Sequence, residues 1–126
     1  MDKKDIKFFV KRIFTKDLSL ESPEAPAIFD NIKATPKIAF NLNTAIATID
    51  DTTYDITLDI NVKAETENSI IYLVEVKQSG LFVIDGADDE LKDVFLNIRC
   101  PEVIFPYARE TISSLVQKAG FPPIFI

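Results

Sequence analysis

The stretch Cys100–Val116, CPEVIFPYARETISSLV, decides what the rest of the chain has to supply. Cys100-Pro101 reads as a Pro-bounded turn, followed by the apolar run Val103-Ile104-Phe105 and then Pro106. A proline has its φ already near the helical value, and its missing N–H falls among first-turn donors that have no partner anyway. Pro106 is therefore read as opening a helix. Beyond it Ala108, Ile112, Leu115, Val116 and Ala119 recur at helical spacing and form one apolar stripe. Gly120 stands where a helix C-terminus takes a residue of positive φ, and Pro122-Pro123 blocks resumption. Such a stripe needs a partner surface, and the chain before it is built of strands.

Working back, residues 53–65 place Tyr54, Ile56, Leu58, Ile60, Val62 and Ala64 on one face, against Asp55, Thr57, Asp59, Asn61, Lys63 and Glu65. Strict period two over this length is the strongest strand signal present. Residues 37–49 alternate in the same way, and Asp50-Asp51-Thr52 is short enough to join the two runs as a hairpin. Residues 70–79 set Ile70, Tyr72, Val74, Val76 and Gln78 opposite Ile71, Leu73, Glu75, Lys77 and Ser79. Residues 6–21 read as a long strand, bent or bulged near Phe8-Phe9, with Leu18 and Leu20 on one side and Asp17, Ser19 and Glu21 on the other. Ser22–Pro26 is a loop, because Pro23 and Pro26 cannot donate to a ladder. The connection 27–36 is expected to fold Ile28, Phe29 and Ile32 onto the core. After Leu81–Ile84 the chain turns at Asp85-Gly86. Asp88, Asp89 and Glu90 suit a helix start, and Leu91, Val94, Phe95 and Ile98 follow at helical spacing. The expected fold is α+β: a four-stranded antiparallel meander with helices packed on one face, as one domain over residues 1–126. One sheet face is apolar; the other is polar and acidic, interrupted by exposed Ile71 and Leu73.

Hydrophobic residues make up 47% of the 126, with ten Phe. One sheet covered by one or two helices cannot hide that much apolar surface, so some should meet another subunit or a ligand. Twenty acids against fourteen bases leave a net charge of −6, which repels nucleic acid and steers in a basic partner surface. No window approaches the roughly 20 apolar residues of a membrane span. Met1-Asp2-Lys3-Lys4-Asp5 is not followed by the apolar core of a signal peptide. A single cysteine excludes an internal disulfide. These features are read as a cytoplasmic protein without direct membrane insertion.

Catalytic chemistry finds little support. There is no histidine, which removes the usual general base and the commonest metal ligand. Three glycines, in no phosphate-cradling pattern, leave no nucleotide loop. Asp50-Asp51 and the group Asp85, Asp88 and Asp89 lack the spacing of a calcium loop and read as turn and helix-start residues. Cys100 reads as packing rather than as a nucleophile. No catalytic residue, metal site or cofactor is expected.

Three segments carry a family resemblance. They are Thr15–Pro23 (TKDLSLESP), Leu73–Phe82 (LVEVKQSGLF) and the opening stretch with Gly120–Pro123 (GFPP). In order and spread over most of the chain, they resemble the SecB protein-export chaperones. The resemblance implies a dimer of dimers that holds unfolded secretory precursors in an apolar groove without ATP and delivers them to the SecA translocation motor. Asp17, Glu21, Leu73 and Glu75 match the family positions that dock the motor, where the pattern alone would give the solvated side of a sheet. Val74, Val76 and Gln78 match positions that support the homotetramer, and read equally as sheet residues packed under a helix.

Groove candidates are Phe8, Ile13, Phe14, Phe40, Leu42, Phe82, Phe105 and Phe121, each of which could instead pack the core. Non-directional apolar lining suffices to hold an unfolded chain, since burying ~1,000 Å² at ~25 cal/mol per Å² gives ~25 kcal/mol gross. Much of this is cancelled by ordering the client. Family members generally continue past the FP element into a tail that helps dock the motor, and that tail is expected to be absent or trimmed here. An alternative within the family is a chaperone dedicated to one antitoxin of a toxin–antitoxin module. An alternative outside it is a small enzyme using Asp85, Asp88 and Asp89.

Overall fold

The computed structural model describes residues 5–32 and 34–126. Strand β1 (Lys7–Glu21) is followed by a single turn of helix, α1 (Ile28–Asn31). Strands β2 (Lys37–Thr48), β3 (Thr53–Glu65) and β4 (Ile70–Asp85) come next. The chain ends in α2 (Asp89–Val94), a π-helical turn (Phe95–Arg99) and α3 (Cys100–Lys118).

All pairings are antiparallel, but the spatial order is β1-β4-β3-β2. The expected meander is therefore correct only for β2, β3 and β4, which are joined by consecutive hairpins. β1 crosses over through α1 and pairs with β4, a Greek-key arrangement. Alternation along a strand fixes which face a residue joins and says nothing about which neighbour it pairs with. The β2–β3 hairpin forms where expected. Asp50 Oδ1 accepts from the N–H groups of Thr52 and Thr53 at 3.0 and 2.9 Å, and these bonds hold its carboxyl below the usual range.

The bulges of β1 are not at Phe8-Phe9. Its register against β4 slips at Lys11 and again at Lys16. Each bulge places two successive residues opposite one partner residue, so the apolar phase runs Phe8, Val10, Ile13, Thr15, Leu18, Leu20. Those residues pair with Ile84, Phe82, Gly80, Gln78, Val76 and Val74, and all twelve belong to one sheet face.

α3 lies across that face over β4 and β3. Its buried residues are Cys100, Ile104, Ala108, Ile112 and Val116, one per four. Gly80 makes the seat possible: a Cβ there would collide with the Phe82 ring and meet Ile104 Cγ1 at 3.1 Å. The helix does not begin at Pro106, as the sequence suggested, nor is Cys100-Pro101 a turn. Both prolines are accommodated within one continuous helical run. Pro101 cannot donate to the carbonyl four residues back, and the turn before it is wound as π, with the Cys100 N–H reaching Phe95 O. Pro106 faces solvent, where water can satisfy the carbonyl it leaves free. The inserted π residue also rotates the preceding stripe: Leu96 is buried, whereas Val94 and Ile98 are exposed. α2 is capped as expected, with Asp88 Oδ1 accepting from Leu91 N–H at 2.8 Å. α3 stops at Gly120, whose φ is +96°.

Candidate functional site

The apolar face of the sheet is wider than the helix lying on it. Beneath α3, Ile56, Leu58, Ile60, Val62, Val74 and Val76 are at most 1% exposed. The outer strands continue the same face with the same chemistry, yet Ile38, Phe40 and Ile46 of β2 are 44, 44 and 40% exposed, and Leu18 of β1 is 46% exposed. Register makes the continuity explicit, since Phe40 pairs with Val62, Ile46 with Ile56 and Leu18 with Val76. The result is an apolar shelf on either side of α3. Among the described residues no group of three His, Cys, Asp or Glu side chains could hold a metal ion.

The groove candidates sort accordingly. Phe40 and Leu42 stand on the β2 shelf, exposed and half-buried respectively. Ile13 is half-buried on the β1 side, and Phe8 is half-buried with its ring stacked on Phe95 and Phe82, centroids 4.6 and 5.9 Å away. Phe105 is half-buried on α3 with the Arg109 guanidinium 5.7 Å from its ring centre. Two candidates are core instead. Phe82 is sealed under α3, and Phe121 closes an aromatic cluster with Tyr72 and Phe29 at 5.2 Å from each. Phe14 lies on the opposite face, paired with Ser79. Ile38, Ile46 and Leu18 were missed, although the alternation in 37–49 already contained the first two.

The other face carries Asp17, Glu21, Leu73 and Glu75 close together. Leu73 pairs with Glu21, Glu75 with Ser19 and Lys77 with Asp17, so the four occupy three successive rows across β1 and β4. Glu21, Leu73 and Glu75 also line a shallow concavity of about 390 Å³, which extends over Asn61 and Lys63 to Asn41. Leu73 is half-exposed, but Ile71 is not the exposed residue expected: it is sealed where the loop after β1 crosses. There Ser22 Oγ donates to the Ile71 carbonyl at 2.9 Å, and the Glu24 carboxylate accepts from Ile70 N–H and Ser69 Oγ. Val74, Val76 and Gln78 are buried on the helix face. Gln78 Oε1 accepts from Thr15 of β1 at 2.9 Å, and the Thr111 hydroxyl of α3, whose one hydrogen is shared with Tyr107 O at 3.0 Å, lies 3.4 Å away, so Gln78 links the sheet to the helix above it.

Comparison with known proteins places this arrangement. The fold matches that of a SecB-like chaperone: Rv1957 of Mycobacterium tuberculosis, solved with a ChAD peptide from the HigA1 antitoxin, superimposes with a TM-score of 0.77 over 94% of this chain and 88% of that one, at 13% identity. At that identity the likeness is one of fold. The sequence carries the assignment further. The profile of SecB, described as preprotein translocase subunit SecB, matches residues 1–126. The protein-export proteins SecB of Methylobacillus flagellatus and Chromobacterium violaceum are 40 and 41% identical over 119 residues, 94% of this chain and 75 and 79% of theirs. The chain belongs to the SecB family of protein-export chaperones.

Proposed function

We propose that the protein holds unfolded secretory precursors along the apolar shelves beside α3, without ATP, and passes them to the SecA motor at the polar face of its sheet. The observation that carries this reading is the uncovered continuation of the apolar face onto β1 and β2. A non-native chain offers scattered apolar side chains, and a shelf without directional chemistry accepts them irrespective of sequence. The shelves also leave apolar surface for other copies of the chain, which supports the dimer of dimers. In that assembly Val74, Val76 and Gln78 act indirectly: being buried, they set how α3 sits. Handover uses Asp17, Glu21 and Glu75 around Leu73, an apolar centre in an acidic rim that suits a basic docking segment. The site of action is the cytoplasm.

A second reading, service to a single antitoxin, is favoured by the peptide bound to the solved neighbour; the names of the closer sequence relatives favour export. Titration with several unrelated unfolded proteins separates the two. General holding suppresses aggregation of all of them, and a dedicated chaperone acts on one. For the docking face, Asp17→Lys with Glu75→Lys is expected to weaken SecA binding at least about tenfold; unchanged affinity removes the docking assignment.

A further inference from the structure

The second half of β1 is held by little burial. Asp17, Leu18, Ser19 and Glu21 are all exposed and Leu20 is only half-buried. Register is weakly specified where neither face is sealed, and a slip of one residue would move every side chain to the other face. Such a slip would turn Asp17 and Glu21 inward toward α3 and bring Leu18 and Leu20 out. A bulge immediately before this segment makes the slip easier, because the bulge only has to migrate.

We propose that Lys16 is a positioning residue that pins this bulge and so keeps Asp17 and Glu21 on the outer face. This rests on the docking role assigned to that face. Lys16 is the extra residue of the bulge, and it shares the outer face with Asp17. From there it spans the central strand. Its Nζ donates to Asp55 Oδ2 at 2.6 Å and to Thr57 Oγ1 at 3.1 Å, both on β3. The path is open because β4 has a small, fully buried serine there: Ser79 Oγ lies 2.7 Å from Thr57 Oγ1. Thr57 thus bonds both Lys16 and Ser79 through one hydroxyl.

Asp55 depends on this partner. Its side chain is 14% exposed, and Oδ1 is buried with no hydrogen-bond partner among the described residues. Removing the Lys16 ammonium would leave that carboxylate without compensation. On the other side of the sheet the preceding residue is tied as well, through Thr15 Oγ1 to Gln78. The two residues at the bulge thus fasten β1 from both faces, at the level where β1, β4, β3 and α3 all meet.

The test uses Lys16→Met, which keeps the aliphatic stem, in the whole chain. In NMR spectra, hydrogen exchange of the Asp17–Glu21 amides bonded to β4 is expected to rise about tenfold or more, with loss of the Leu18–Val76 and Asp17–Lys77 cross-strand contacts. Asp55→Asn should do the same, and the swapped pair Lys16→Asp with Asp55→Lys should restore both. Binding to purified SecA supplies a readout with a diagnostic sign. Taking a cation away from an acidic docking strip should tighten a basic partner by simple electrostatics, whereas loss of positioning weakens it; a loss of about fivefold or more is expected. Native exchange and native cross-strand contacts in Lys16→Met, or tighter SecA binding, would overturn the proposal. If the Asp17→Lys, Glu75→Lys protein shows that SecA does not use this face, the docking reading falls, and the exchange and contact measurements still decide whether Lys16 holds the register.

Discussion

The two central strands and the two outer strands present one apolar face, built of similar residue types, and meet opposite fates. Ile60 on β3 is sealed under α3, while Ile46 on β2, one strand away, is 40% exposed. What separates them is cover, not chemistry. α3 is one helix, about 10 Å across with its side chains, whereas four strands spaced about 4.8 Å apart give a face roughly 15 Å wide between the outer strand axes. A helix over the centre leaves a margin on each side. In a self-contained domain a second helix would fill that margin; here the margin is the part of the face available to something else.

The sharpest way to break this comparison is to cut back equivalent side chains on either side of the boundary. Ile60→Ala removes packing from a fully enclosed site and is expected to cost about 3–4 kcal/mol in urea unfolding. Ile46→Ala removes the same atoms from a half-wet shelf and should cost less than about 1 kcal/mol. Equal costs would mean that the shelf is as much core as the centre, and the case for a client surface would fail.

The next test reverses the readout. Ile38→Ser with Phe40→Ser should weaken holding of a reduced, unfolded polypeptide about tenfold or more, about 1.4 kcal/mol, with unfolding midpoints close to the parent's. Fluorescence titration and aggregation assays measure the first, and urea melts the second. A large stability loss with holding intact would exchange the roles assigned to centre and shelf.

How much of this was legible in the sequence depended on which forces leave a local trace. The face of each strand was readable, because alternation is local and Tyr54–Ala64 spells it out. The extent of α3's cover was not, since it depends on where a helix much later in the chain comes to rest. The position of β1 beside β4 left no local trace either. Its bulges did leave one: the apolar phase Phe8, Val10, Ile13, Leu18, Leu20 breaks at Lys11-Arg12 and Lys16-Asp17, each a pair of adjacent charged residues. The reading at Phe8-Phe9 took two neighbouring aromatics as the irregularity, when the paired charges marked it. The helix start was misplaced because Pro106 has equal claim to a first turn and to a solvent-facing position inside a helix, and only the π turn before Pro101 shows how the run stays continuous. The acidic face residues could be located by alternation, but the Lys16–Asp55 bridge crosses β4 and has no sequence signature.

A third test uses the chemistry of the centre. Burial pushes the Cys100 thiol up to about 12, so it should resist thiol reagents at pH 8 in the native state and react only on unfolding. A folded-state value above that of the unfolded chain means stability is fully present below about pH 9 and is lost as pH rises toward the folded value. Between these limits the unfolded chain gives up a proton that the native chain keeps, contributing at most about 1.4 kcal/mol per pH unit. Cys100→Ala should remove that contribution to the alkaline slope. An accessible native thiol would show that α3 does not seal the centre.

The smallest effects belong to the link between centre and margin. Gln78 Oε1, buried, accepts from Thr15 on the β1 side, and the Thr111 hydroxyl on α3, which also reaches Tyr107 O, can turn to it. Thr15→Val removes the shorter bond and should cost about 0.5–1 kcal/mol; Thr111→Val removes a 3.4 Å contact and should cost less than about 0.5 kcal/mol. Each single change leaves Oε1 one donor. The double change leaves none, and a buried acceptor without a partner costs more than a lost hydrogen bond, so the double variant should lose more stability than the two singles added together. Strict additivity would mean that water reaches Gln78 from the β1 side, which would carry the wet margin one strand further under α3 than its buried side chains indicate.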